Sequence, residues 1–474
     1  MSDGAQSALK HQPVRRSCRE DLQVYLEPRV ARMLPLGFSA GLPLLLVLGT
    51  LAFRLREAGI DRTTIGFLSW VALAYGFKWA WAPLVDRLPI PLLTRALGRR
   101  RSWLLAAQSV IILALAGMAL TDPAVHLERL VLFALLAALA SATQDIALDA
   151  FRIESAEARV QGAMAAAYQV GYRTGMMFAG AGVLWIAAAF DPDESTYQHA
   201  PWMIAYLAMA GLMAVGMLTV LLSREPAVAI SGETQRLERE LAAQIERGRL
   251  PGPFAAAAAW LYAAAWGPLL EFLRRYRWQA VLLLALIATY RISDIVLGVM
   301  SNPFYRDMGF TKEQVGTLSG VFGIFMTLLG AAAGGVLVLR LGVMRVLFAG
   351  AALSALTNLL FAWLSTRGND VWGLVLVISA DNLSGGMASA AFVAYLSSLT
   401  NVAYSATQYA LFSSLMLLLP KFLGGFSGLA VDSFGYPAFF VGTAVLGMPV
   451  LLLVWLAGRY ASGPDPRTQA GPGG

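Results

Sequence analysis

The sequence predicts an all-α transmembrane protein of twelve helices in two pseudo-symmetric six-helix bundles. Three observations carry this expectation. Apolar runs of about 20 residues, each long enough as a helix to cross a ~30 Å hydrocarbon core, recur along the chain. A polar, basic segment at 223–278 divides them into two sets of six. Lys and Arg crowd onto alternate connections, as the positive-inside rule requires of a polytopic chain.

Composition agrees. Of the 474 residues, 58% are hydrophobic and 14% charged, with a mean hydropathy of +0.62. A soluble domain carries roughly 25% charged residues, so lipid is the solvent this chain is built for. The polar N-terminal tail, 1–32, lacks the short apolar region and cleavage site of a signal peptide, so span 1 is expected to direct insertion itself. Spans 1 to 6 are read at 33–53, 63–84, 103–121, 129–150, 161–189 and 202–222. Spans 7 to 12 follow at 279–300, 314–339, 343–365, 370–398, 404–431 and 437–458. Most connections are short and polar: Arg54 to Arg62, Thr121 to Glu128, Asp191 to His199 and Ser365 to Asp370.

With both termini in the cytoplasm, the inner segments carry 25 Lys and Arg and the outer ones 7, and four remain within spans. One missed span inverts every later loop and destroys that bias. The same distribution reads the net charge of +7 as topology rather than nucleic-acid binding. The segment 223–278 is expected to be a cytoplasmic linker between the bundles 33–222 and 279–458. It begins with a solvated helical pattern, Arg236 to Glu240. Its aromatic and basic end, with Trp266, Arg274, Arg275 and Trp278, suits a helix lying on the membrane surface. Residues 459–474, rich in Pro and Gly, read as a disordered cytoplasmic tail. A single cysteine, Cys18, excludes an intramolecular disulfide.

No catalytic signature is present. The three histidines lie in expected loops or the tail without metal-ligand spacing, and there is no nucleophile elbow, zincin motif or phosphate loop, so no enzyme activity, metal or cofactor is expected. Gly-rich stretches such as Gly334-Gly335 and Gly424-Gly425 sit inside apolar spans and read as packing residues.

The chemistry lies in ionisable residues within the spans. Lys78, Arg173, Arg291 and Lys421 are cations, and Asp145, Asp149, Asp294 and Asp381 are acids. A charge at a helix centre costs at least ~2.5–3.5 kcal/mol, so such groups face a bundle interior or an aqueous cavity. Two readings are open at this point: the charges pair to hold the bundle, or they line a transport path. Helical spacing collects them into stripes. Asp145 and Asp149, Gln169 and Arg173, Tyr168 and Tyr172, and Tyr290 and Asp294 are each four apart, and Arg291 and Asp294 three apart. With Tyr75, Gln144 and Asn382 they make a set suited to a ligand with sugar faces and carboxylates. Rings pack on apolar sugar faces, and Arg holds carboxylates bidentately. A carboxyl whose neighbouring cation is recruited by an anionic substrate can take up a proton, which makes Asp145, Asp294 and Asp381 the proton-coupling candidates. The halves also echo one another: spans 4 and 10 each place an acid after small polar residues, and spans 5 and 11 each hold one cation, Arg173 and Lys421.

The connection between spans 2 and 3 reads Asp86-Arg87, then Gly98-Arg99-Arg100-Arg101, a form of the Asp-Arg…Gly-Arg-Arg pattern of major facilitators, stretched by an insertion from Leu88 to Leu97. By that likeness Asp86, Arg87, Arg99 and Asp149 are expected to form an inner gate. The resemblance extends to the AmpG-type muropeptide permeases of the major facilitator fold. The matching stretches are LGFSAGLP at 36–43, YGFKWAWAPLVDR at 75–87, GRRRSWLL at 98–105, SATQDIALDA at 141–150 and GYRTGM at 171–176. DNLSGGM at 381–387, AFVA at 391–394 and SATQYAL at 405–411 continue it, so the resemblance spans both halves. It implies a proton-coupled, alternating-access importer of anhydro-muropeptides in the bacterial inner membrane, a monomer whose partners are the sugar–peptide, protons and the lipid bilayer. Lys421 stands where an arginine is expected. Acetyl-CoA transporters are distant relatives of the group, so another anionic solute is the alternative cargo. A non-transporting sensor acting through the linker is a second alternative.

Overall fold

The computed structural model describes residues 26–155, 158–191, 196–226, 267–399 and 405–460, apart from the side chains of 83, 86, 87, 158, 159, 161, 162, 267–271, 339, 397 and 405–410. Most of the expected tails and linker, 1–25, 227–266 and 461–474, lie outside the described residues. Among the described residues every regular element is helical, because a helix satisfies its own backbone polar groups where lipid offers none. Nine of these helices are long and apolar enough to cross a membrane.

The other three crossings are interrupted, and they are the ones that carry Lys78, Arg173 and Lys421. Span 2 runs as Arg62–Leu68, Leu73–Phe77 and Ala82–Arg87, with 3-10 turns at Ser69–Ala72 and Lys78–Ala80 between them. Span 5 joins Ala158–Met177 to Val183–Ala189 through a π turn at Phe178–Gly182. Span 11 runs from Ser405 to Gly424, resumes at Ser427, and ends where Gly435, at φ 77°, turns the chain into span 12. Span 7 also breaks, between Gln279–Thr289 and Ile292–Asp307, with Arg291 at the break.

Even span number puts the start of span 1 and the end of span 12 on one face, called here the terminal face. The connections 1–2, 5–6, 7–8 and 11–12 lie on the opposite, distal face. Span 1 does not end at 53 as expected. Gly49–Glu57 remains helical, and Arg54 is buried rather than in a loop. Its guanidinium donates to the carbonyls of Met118 and Thr121, each at 2.8 Å, and lies over the Tyr206 ring at 5.3 Å. Those carbonyls close the end of span 3, Arg99–Leu120, where helical acceptors have no partner of their own.

Small residues let the backbones approach. A β-carbon at Gly37 or Gly41 of span 1 would collide with the carbonyl oxygen of Tyr168 or Tyr172 on span 5, and one at Gly171 or Gly175 with that of Leu34 or Phe38. The two bundles meet most closely toward the distal face along two seams. On one, the π turns of spans 5 and 8 (Phe178–Gly182 and Gly316–Phe322) lie against each other, Gly320 on Ala181. On the other, Gly66 of span 2 lies on the backbone of Gly425 and Gly428, and the Trp70 indole donates to Phe422 O at 2.9 Å.

Gly171→Ala is expected to destabilise the fold by about 1–3 kcal/mol through overpacking at the span 1–span 5 contact. Gly211→Ala, which meets nothing within 4 Å, should be neutral. Thermal unfolding of the two variants, followed by size-exclusion fluorescence, checks the difference.

Candidate substrate site and its gates

Two cavities lie at mid-depth between the bundles, both touching Gly49 where span 1 breaks. One, of about 140 Å³, is walled by apolar residues of spans 1, 2 and 7, with Lys421 at its edge. The other, of about 180 Å³, is lined by Arg173 of span 5 together with Asn302, Ser319, Thr327 and Asn382 from the second bundle. The fifth span of each bundle thus contributes one cation to one cavity.

These cations lack carboxylate partners. Lys421 donates to Ala72 O at 3.0 Å and lies over the Tyr75 ring at 5.1 Å. Arg173 reaches only the Met176 sulfur, at 4.0 Å, and its Nε is buried without a partner. Among the described residues neither cation, nor Lys78, sits in an ion pair. Arg173 of the first bundle and Lys421 of the second thus each present a positive charge to a cavity of the cleft. A cation without a carboxylate partner in a low-dielectric cleft favours an anion beside it.

The wall beside Lys421 is unsatisfied as well. Tyr75 Oη, both polar atoms of the Gln144 side chain and Asp145 Oδ1 are buried without hydrogen-bond partners. Buried polar groups are nearly always paired, so a cluster of orphans marks a place where a ligand or solvent completes the set. Tyr168 and Tyr172 form a tilted pair, 5.9 Å between ring centres, on the adjoining face of span 5, where Gln169 is exposed.

The second bundle is more fully paired. Arg291 holds Asp294 at 3.1 Å and donates to Ser389 at 2.6 Å. Asp381 accepts a long bond of 3.4 Å from Thr357. Asn382 accepts from Thr327 at 2.9 Å and donates to Ile378 O at 3.0 Å. Tyr290 departs from its expected place at the ligand: it is buried, its hydroxyl donates to Leu347 O at 3.0 Å, and its ring stacks on Phe392 at 4.4 Å. Its position just before the break at Arg291 turns it into the bundle.

At the terminal face the expected pairing of Arg99 with Asp149 is absent. Arg100 grips Glu154 instead, with Nη2 at 2.6 Å, while Arg99 stands 3.8 Å from the same carboxylate. Asp149 faces Arg152 at 3.4 Å. Two local features explain the shift. Span 4 continues to Glu154, and the inserted connection folds into a short helix, Leu93–Leu97, before Gly98 at φ 88° starts span 3. Glu225 caps that helix by accepting from the backbone N–H groups of Arg100 (2.7 Å) and Arg101 (3.1 Å). The side chains of Asp86 and Arg87 lie outside the described residues.

Sequence reasoning missed the distal gate. Asp307 of span 7 accepts from Arg56 at 2.5 Å and from Arg62 at 2.8 Å, and Arg62 also reaches Asp432 at 3.1 Å. Deeper in, Lys312 of span 8 is enclosed by two acids of the first bundle, Glu57 at 2.7 Å and Asp191. The Trp202 indole donates to Glu57 at 2.5 Å, and Arg306 lies 3.9 Å from it. Lys312, Glu57 and Asp191 side chains are each no more than 2% exposed, so every pair is desolvated and joins the two bundles. The only sequence signal was that the connections 1–2 and 7–8 mix both signs of charge, which reads equally as ordinary loop polarity.

Residues 282–473 match the family model described as Major Facilitator Superfamily, and residues 30–223 match that described as Acetyl-coenzyme A transporter 1. The chain is 33% identical over 434 residues to the anhydromuropeptide permease of Escherichia coli (strain K12), covering 91% of this chain and 80% of that one. It is 31% identical to putative transporter AmpG 4 of Rickettsia felis, covering 91% and 97%. In three dimensions it is similar to a D-xylose–proton symporter, with a TM-score of 0.67 at 12% identity over 90% of this chain and 96% of that one.

Removing Lys312 leaves two buried acids facing each other, a loss of about 3–5 kcal/mol from the closed distal face. In a Cys18→Ser background with spin labels at Glu128→Cys and Asn369→Cys, Lys312→Met is expected to add a longer-distance population. An unchanged distance distribution counts against the gate.

Proposed function

This chain belongs to the AmpG-type permeases of the major facilitator superfamily, and we propose that it imports anhydro-muropeptides for peptidoglycan recycling, coupled to protons, by alternating access. The cargo joins an amino-sugar disaccharide to a short peptide bearing carboxylates. The observation that carries the reading is a pair of cations without carboxylate partners among the described residues, Arg173 of the first bundle and Lys421 of the second, each lining one cavity of the cleft. Carboxylates of the peptide neutralise cations of both bundles at once, and so draw the bundles together across the cleft. Tyr75, Tyr168 and Tyr172 offer ring faces for the sugars, and the orphaned Gln144 supplies hydrogen bonds.

The excess of Lys and Arg on the terminal side supports a cytoplasmic terminal face and a periplasmic distal gate, and in this reading the chain sits in the bacterial inner membrane. In this orientation the gate of Glu57, Asp191 and Lys312 holds the periplasmic side shut. Asp145, Asp294 and Asp381 are the proton carriers of the account. An acid that gives up its neighbouring cation to the cargo holds a proton more readily, which ties proton uptake to cargo binding. Arg291, 3.1 Å from Asp294, is a cation in position to be drawn away, and Lys78 is its candidate counterpart in the first bundle. The chain has no enzymatic step in this reading and acts as a monomer.

A second cargo, acetyl-CoA, is favoured by one observation, the match of residues 30–223 to the acetyl-coenzyme A transporter model. It too is a large anion.

Uptake of radiolabelled anhydro-muropeptide into proteoliposomes under an inward proton gradient tests the proposal. Accumulation is expected to depend on the gradient and to be competed by unlabelled sugar–peptide but not by acetyl-CoA. Arg173→Gln and Lys421→Gln should each cut uptake about 10-fold or more, the value of one charge-assisted contact. Asp145→Asn should remove the pH dependence. Competition by acetyl-CoA alone transfers the cargo assignment to the second reading.

A further inference from the structure

We propose that the groove between spans 9 and 12 at the terminal face binds the phosphate of an anionic membrane lipid. The cavity there, of about 460 Å³, is lined by Arg345, Phe348, Val454, Trp455 and Arg459 among others, and no acid among the described residues stands in its wall. Arg345 is the third residue of its helix, Val343–Leu364. A cation in a first turn opposes the helix dipole, so helix stability does not account for it. It has no ion pair among the described residues. Arg459 belongs to the last turn of Met448–Tyr460 and lies over the rings of Trp455 (5.4 Å) and Tyr460 (5.8 Å). Two guanidinium groups with no carboxylate between them fit a phosphodiester.

The surface continuing from the arginines selects a lipid over free phosphate. Phe348 lies three residues after Arg345, and Trp455 and Leu452 lie four and seven before Arg459. All three are exposed, at 42%, 51% and 56%. They form an apolar track for an acyl chain below a cationic headgroup site, the arrangement of a helix pair at a membrane interface. The cavity near the end of span 4 contrasts with it: Arg29, Arg32 and Arg224 there share their wall with Glu154 and Glu225.

Native mass spectrometry of the full chain in neutral detergent, titrated with phosphatidylglycerol, tests this without reference to cargo. The first bound lipid should be retained about 30-fold less tightly by R345Q/R459Q, since each of the two basic residues near the surface contributes about 1 kcal/mol. It should be retained normally by R345K/R459K and by the distal-face control R367Q. Millimolar inorganic phosphate should not displace it. Equal retention by R345Q/R459Q and the unsubstituted chain overturns the site, and displacement by inorganic phosphate overturns its assignment to lipid.

Discussion

Charge inside a hydrocarbon slab is tolerated only where it is paired or faces water, and this constraint organises the whole molecule. Spans 2, 5 and 11 each carry one such cation, and each is broken by a 3-10 segment, a π turn or a glycine pair. A break frees backbone groups that lipid cannot satisfy, so it must face protein or a cavity. Breaks and charges therefore share one surface, the cleft between the bundles. Lys421 is held there by its ammonium, which lies over the Tyr75 ring and donates to Ala72 O at the wall of a cavity.

The two ends of the cleft spend their charges differently. At the distal face, acids of one bundle meet cations of the other at short range, and around Lys312 out of water, so the bundles are joined. At the terminal face, among the described residues, strong contacts form within the first bundle: Arg100 with Glu154, and Glu225 on the start of span 3. Among these residues the molecule is thus latched across its bundles on one side and braced within one bundle on the other. That asymmetry is what a transporter resting open to one side requires, and it leaves the unpaired cations at mid-depth for the cargo.

Much of this was legible in the sequence. Apolar length and the charge bias pointed to twelve crossings, and the cost of burying charge singled out Arg173 and Lys421, which line the cavities between the bundles. The distal gate was not legible, because Arg56 and Asp307 are separated by 251 positions and each looks like an ordinary loop charge. Arg54 was misplaced for a related reason: nothing local reveals that the end of span 3 needs a donor. The terminal-face contact shifted from Arg99 to Arg100 and from Asp149 to Glu154, since register there depends on how an inserted loop folds. Tyr290 shows the limit of helical spacing, which assumes an unbroken helix and fails one residue before a break.

The central claim is that cargo carboxylates draw the two bundles together through cations that otherwise lack carboxylate partners. The most direct measurement is the distance between spin labels at Val170→Cys on span 5 and Leu328→Cys on span 8, without cargo, with anhydro-muropeptide, and with its amide-capped analogue. The account predicts a shorter distance with the carboxylate-bearing cargo alone. The same shortening with the amide-capped analogue, or none with either, would contradict it.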